Sequence, residues 1–209
     1  EYIAITDHSK APAMARGPDE KRLGQHAKAI RSVDRRLAGE IRVFCGIEVD
    51  ILKSAELALA AEALAELDVV VASVHSHFHL TSGDMTARLV RAIESGVIDI
   101  VGHPTGRILT RRDAYPLEME TVLRAAKAHG VAMELSATPD RLDLSDTHAR
   151  MAKELGVKLV INTDAHAQEH PEFLRHGVDN ARRAWLGSGD ILNTLPAAAS
   201  LTALHDGQR

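Results

Sequence analysis

Residues 158–166 read KLVINTDAH: a short apolar, mostly β-branched run, Leu159-Val160-Ile161, leads into Asp164 and His166. The same construction occurs four more times. YIAIT leads into Asp7 and His8, IRVFCGI into Glu48, DVVVASV into His75, and IDIVG into His103. Each run has the look of a buried strand, and each carries an imidazole or a carboxylate at its carboxyl end. In parallel α/β barrels that end of the strands holds the active site. One His after one strand means little, but five strands that end alike predict a single ring of metal ligands.

Between these runs the chain reads as helix. Strands are predicted near 2–6, 41–50, 68–75, 97–102, 131–136 and 158–163, and helices near 19–38, 55–67, 84–95, 117–129 and 146–155. Leu57, Ala60, Ala61, Leu64 and Leu67 show the 3.6-residue spacing of a helix packed on a sheet. Three helices are expected to end at Gly96, Gly130 and Gly156, each followed by the Val that opens the next strand. Gly suits the left-handed turn after a helix. Repeated helix–Gly–strand junctions predict parallel strands with crossover helices, hence a barrel or an open α/β sheet. The tail after Pro171 reads as further helix, punctuated by Asn193-Thr194 and Pro196. No linker interrupts the chain.

Composition narrows the function classes. The 209 residues, 45% hydrophobic and only 3% aromatic, suffice for one sizeable core filled by Leu, Val, Ile and Ala. A formal charge of -4 with mixed signs is not the surface of a nonspecific nucleic-acid binder, so any DNA contact must be local or come from another domain. The lone Cys45 excludes an internal disulfide framework and fits a reducing cytoplasm. No run approaches the roughly 20 apolar residues of a membrane span. The chain lacks an initiator Met and enters a strand almost at once, which suggests the carboxyl-terminal piece of something longer.

The twelve histidines divide by position. His26, His129, His148 and His205 fall in helical or tail stretches, where capping or solvation is the ordinary role. His77 and His79, which extend an alternating run from His75, read as loop residues. His8, His75, His103 and His166 each follow an apolar strand, with Asp7, Glu48 and Asp164 in equivalent places. Mixed His and carboxylate donors suit Zn, Mn or Fe. Six or more donors exceed one tetrahedral ion, so two or three ions bridged by Glu48 are expected. Such clusters generate hydroxide near neutral pH and clamp the oxygens of a phosphoester. Arg107, Arg111 and Arg112 follow His103, and Arg141 follows another strand, where guanidinium groups could hold an anion.

The strings ITDHS, GIEVDIL, ASVHS, GHPTGR, ATPDRLDL, NTDAH and ARRAWL, in this order, resemble the polymerase-and-histidinol-phosphatase (PHP) domain, and most closely the carboxyl-terminal PHP domain of bacterial and archaeal family X DNA polymerases. The resemblance runs from about Tyr2 to Leu195. It implies a distorted seven-stranded β/α barrel of the TIM-like type, here without its first strand, with a cluster of two to three Mn or Zn ions. The implied ligands are His8, Glu48, His75, His103, Asp164 and His166. Asp7 would stand behind His8 and orient it, and Arg107 and Arg141 would contact substrate phosphate. No protein base is assigned; a hydroxide generated by the ions is the expected nucleophile. The implied activity is 3′-to-5′ exonuclease and 3′-end processing of DNA, with a polymerase domain upstream in cis. A stand-alone phosphatase such as histidinol-phosphate phosphatase, or a noncatalytic module of a polymerase, are the alternatives.

The family pattern opens with a strand ending in His-x-His and a further ligand, none of which this sequence contains. The 209 residues are therefore expected to bind metal incompletely, to be catalytically impaired, and to expose two adhesive strand edges. Ser136 stands where the family more often has Asn.

Overall fold

The computed structural model describes residues 1–9 and 20–206; position 19, the expected start of the first helix, lies outside the described residues. Six strands, β1 (Tyr2–His8), β2 (Arg42–Asp50), β3 (Val69–Ser73), β4 (Ile100–Val101), β5 (Ala132–Ser136) and β6 (Leu159–Asn162), follow one another in chain order in a single sheet. Every neighbouring pair is parallel. The six strands curl into a half-barrel, consistent with the expected TIM-like architecture. The connecting helices are α1 (Glu20–Arg36), α2 (Ala61–Leu64), α3 (Ser82–Ile93), α4 (Met119–Ala128) and α5 (Asp146–Glu154), followed by α6 (Leu174–Arg183) and α7 (Ala197–His205). The glycines at the three predicted junctions adopt φ of 74°, 67° and 73°, the left-handed turn that lets each helix stop and the chain reverse.

Alternation along the strands separates two faces. Val43, Cys45, Ile47, Val49, Val70, Ala72, Met133, Leu135, Leu159 and Ile161 face outward into the main core with the helices. The intervening residues line the inner face, which changes character along its length. Its amino-terminal half is apolar: Phe44, Val69, Val71, Ile100, Ala132 and Val160 pack beneath Leu192 and Leu204. Helix α7 therefore plugs the bottom of the half-barrel, and His205 at its end lies 3.2 Å from the carbonyl of Asp68, just before β3. The carboxyl-terminal half of the same face carries Glu48, Asp50, Ser73 and Glu134, with no helix over it among the described residues.

Two expectations are corrected. The helix predicted over 55–67 shrinks to the four residues of α2. After β2 the chain doubles back, with an antiparallel bridge between Ile51 and Leu57 and the amide of Ala58 bonded to the carbonyl of Asp50. Leu57 and Leu67 are thus spaced like helix residues without sharing a helix. The second correction concerns the strand edges. Beyond β1 the sheet has no further strand among the described residues. The β6 edge is covered: the Asn193 side chain accepts from the Ile161 amide at 3.1 Å and donates to the Ile161 carbonyl at 2.7 Å. One carboxamide thus replaces a strand's peptide group, and Leu159 bridges Ile191 beside it.

Gly177 in α6 tests how closely that helix lies on the sheet. A Cβ there would strike the Ile161 side chain and lie 2.9 Å from Ala137 Cβ. Gly to Ala within a helix ordinarily stabilises by about 1 kcal/mol. Here overpacking, on the order of 1–3 kcal/mol, should win. Gly177→Ala is expected to lower the thermal midpoint, and a raised midpoint would mean that α6 stands off from the sheet.

Candidate metal centre

Glu48 sits on the inner face at the carboxyl end of β2 and is 6% exposed. Its Oε1 lies 3.0 Å from His103 Nε2 and 3.2 Å from His75 Nε2, and its Oε2 lies 3.4 Å from His8 Nδ1. Three strand ends thus converge on one carboxylate. Burial alone would push the Glu48 pKa up, but the hydrogen bonds from His103 and His75 outweigh it and hold the carboxyl well below the usual range. For His75 burial works downward, yet the neighbouring carboxylates of Asp50 and Glu48 raise its pKa to about 9.

Parallel register explains the convergence. His8 is paired with Glu48 across β1 and β2, so their side chains leave the same face at the same height. His75 follows β3 and His103 follows β4, one strand further on each time. At β6 the chain leaves the sheet through Asp164 at φ 46°, and His166 turns back so that Nδ1 lies 3.5 Å from Asp164 Oδ1. The ring centroids of His8 and His166 are 5.8 Å apart.

The six expected ligands fall into two overlapping groups. One donor atom each from His8, Glu48 and His75 lies within 4.8 Å of the others, as does one each from His8, Asp164 and His166. His103 joins the first group through Glu48. His8 belongs to both, which suits adjacent ions. The donor set fits a divalent cation in a further respect: the Nδ1 atom of His103 is buried without a hydrogen-bond partner, and those of His8 and His75 meet only carboxylate oxygens 3.4 Å away, so ordinary hydrogen bonding leaves the imidazoles incompletely satisfied.

Asp7 is placed elsewhere. Alternation turns it to the face opposite His8, and its Oδ2 lies 2.7 Å from Nε2 of His26 on α1. The carboxylate that does stand behind a ligand-type imidazole is Asp50, whose Oδ1 accepts the His75 backbone amide at 3.2 Å and lies 3.4 Å from His75 Nδ1. That leaves Nε2 facing Glu48, the arrangement usual behind metal-binding His. Arg107 directs Nε to the carbonyl of Arg141 at 2.8 Å and Nη2 to that of Leu142, tying two loops together. Arg141 keeps a buried Nη1 without a partner. Arg112 stacks over Phe78, 4.1 Å from the ring centroid, and gives its Nε to the Gly106 carbonyl.

Sequence reasoning missed Asp50, Glu134 and Asn162. Glu134 is 4% exposed, accepts the His103 amide on Oε2, and receives Asn162 Nδ2 on Oε1 at 3.1 Å. Burial raises its pKa to about 7. The available signal was a charged residue inside an apolar strand, at AMELS, and the two-residue step from Glu48 to Asp50.

The His75 environment gives a signed prediction. A raised His pKa contributes stability that is complete below the ordinary 6.5 and lost as pH rises through about 9. With a chelator present, the thermal midpoint should therefore fall across that window. A divalent ion needs the neutral imidazole, so its stabilising effect should grow across the same window. Melting with and without Mn²⁺ at both ends of the range measures this, and a chelated midpoint independent of pH would contradict it.

Comparison with known proteins places this geometry. No family model matches the sequence. The chain is 39% identical over 193 residues to the DNA polymerase/3′-5′ exonuclease PolX of Bacillus subtilis (strain 168), a match that covers 92% of this chain and 34% of that protein. The chain therefore spans about a third of that relative. It is 30% identical over 204 residues to a probable phosphatase of Thermoanaerobacter sp. (strain X514), covering 93% of this chain and 78% of the relative. Among solved structures, the putative histidinol phosphatase of Listeria monocytogenes shares the fold with a TM-score of 0.59 at 12% identity, covering 81% of this chain and 85% of that one. With its strand-end imidazoles gathered on Glu48 and these relatives along nearly its whole length, the chain belongs to the polymerase-and-histidinol-phosphatase (PHP) family.

Proposed function

We propose that this chain is the PHP phosphoesterase domain of a family X DNA polymerase and that it removes nucleotides from, or processes, DNA 3′ ends during repair. The observation that carries this reading is the 39% identity to PolX across 92% of the chain. A polymerase domain upstream in the same protein is part of the proposal.

His8, Glu48, His75, His103, Asp164 and His166 would hold two to three Mn or Zn ions, in keeping with their mixed nitrogen and oxygen donors. Bound divalent ions supply Lewis-acid polarisation of the phosphoryl group and activate water at neutral pH. The chain's own residues set the conditions. Glu48 offers one oxygen to His75 and His103 and the other to His8, so it can bridge neighbouring ions. Asp50 holds the His75 backbone amide and stands beside its ring, and Glu134 holds the backbone that presents His103. Arg141, whose Nη1 has no hydrogen-bond partner, would take substrate phosphate, while Arg107 would shape the loop that carries it.

A second reading is favoured by one observation: a phosphatase relative matches over 78% of its own length. Under that reading the same centre releases phosphate from a small ester such as histidinol phosphate.

The test is direct. The full-length protein with Mn²⁺ should shorten a 5′-labelled DNA strand stepwise from its 3′ end and leave histidinol phosphate intact. His103→Ala should reduce cleavage by more than the roughly 10–100-fold that outer partners of a metal site contribute. Arg141→Ala should mainly raise KM. Phosphate release from histidinol phosphate without DNA shortening would favour the second reading, and full activity in His103→Ala would remove this centre as the catalytic site.

A further inference from the structure

His103 has the least comfortable backbone among the candidate ligands. Its φ is +25°, it has a bulky ring to accommodate, and it is 3% exposed. Such a conformation is costly and persists only where the surroundings impose it. The surroundings here are specific. The His103 amide donates to Glu134 Oε2 on β5. The carbonyl of the next residue, Pro104, accepts the Tyr115 hydroxyl at 2.6 Å. The amide after that, of Thr105, donates to Asp143 Oδ2 at 2.9 Å. Three consecutive residues are thus each gripped through the backbone by a different buried side chain.

All three side chains are withdrawn from solvent: Glu134 is 4% exposed, Tyr115 6% and Asp143 0%. Two of them are carboxylates, and burying a carboxylate is costly unless it is well hydrogen-bonded. A turn whose only task was to connect β4 to α4 could bond to water instead. The grip is reinforced from both sides. Tyr115 packs its ring against Gly106, where a Cβ would lie 2.6 Å from Cε1, and its own amide bonds the Thr105 carbonyl at 3.1 Å. Arg107, at the end of the turn, bonds the carbonyls of Arg141 and Leu142 beside Asp143. GHPTGR and RLDL, some way apart in the sequence, therefore form one interlocked unit.

We infer that Glu134, Tyr115 and Asp143 are positioning residues that hold the turn after β4 so that the His103 imidazole is presented to Glu48 in a fixed geometry. The inference rests on the reading of His103 as a metal ligand. It gives the DRLDL segment a task separate from substrate contact: Asp143 acts on the site through the Thr105 amide, two residues from the ligand. Glu134 also joins two ligand-bearing strand ends, since its other oxygen receives Asn162, two residues before Asp164.

Mn²⁺ titration of the full-length protein by calorimetry tests this without using activity. Tyr115→Phe, Asp143→Asn and Glu134→Gln are each made in the natural background and in His103→Ala. In the natural background each should weaken Mn²⁺ binding about tenfold, the lower end of what outer partners of metal ligands contribute. In the His103→Ala background Tyr115→Phe and Asp143→Asn should cause no further loss, because residues that act through one ligand do not add once it is gone, and Glu134→Gln should lose only the smaller part that it contributes through Asn162. Tyr115→Phe removes only a hydroxyl, so it keeps the test decisive should a carboxylate variant fail to fold. Unchanged binding in the natural background, or an equal loss in both backgrounds, would overturn the inference. Should His103→Ala alone bind Mn²⁺ as the natural protein does, the ligand assignment fails, and the positioning role with it.

Discussion

An ionised carboxylate with 6% of its surface exposed would be strongly disfavoured in an apolar interior, and Glu48 is tolerated because His8, His75 and His103 face its two oxygens. That constraint reaches far into the structure. Three imidazoles can meet one carboxylate only if successive parallel strands end at nearly the same height and curl toward a common axis. The register that pairs His8 with Glu48, and the stepwise connection of β2, β3 and β4, provide this. Even the close approach of strands follows: Gly102 sits where a Cβ would strike the Ser73 hydroxyl, one layer below the imidazoles.

The inner face answers the same constraint by dividing its length. Ordinary sheet packing would cover the whole face with one apolar layer. Here α7 covers only the half that contains Phe44, Val71 and Ile100 and leaves the Glu48 half free of helix among the described residues. The plug therefore supplies apolar burial that stabilises the sheet at the end away from the donors. Asn193 serves the sheet from the side, its carboxamide satisfying the Ile161 amide and carbonyl that an exposed edge would leave open. The segment Ile191–Thr194 thus belongs to the half-barrel.

The legible parts of this fold were those in which a local signal and a tertiary need coincide. A β-branched run followed by an imidazole is both a strand and a ligand position, so β1, β2, β3 and β6 could be placed with their donors. Where one signal serves two structures the reading fails. Leu57, Ala61, Leu64 and Leu67 have helical spacing, but the chain spends residues 51–58 on a reversal that returns Ala58 to the Asp50 carbonyl. Asp7 was associated with His8 because it is adjacent in sequence, yet adjacency within a strand means opposite faces, and its partner is His26 on α1. Asp50 and Glu134 were hidden for a related reason. Their importance lies in the partners that parallel register brings to them, and no short motif records those partners.

The distinction between holding a ligand and holding the chain that carries it arises from how a parallel sheet ends. Strand hydrogen bonds fix the backbone up to the last paired residue and no further. β4 is only two residues long, so His103 lies beyond the reach of its ladder. Something else must fix the turn if its imidazole is to stay 3.0 Å from Glu48. The neighbouring strand offers Glu134, and the loop after it offers Asp143, both from the segment next in sheet order. A short strand with a strained ligand and a longer neighbour with buried carboxylates are two halves of one solution: β5 completes for β4 the hydrogen bonding that β4 is too short to complete for itself.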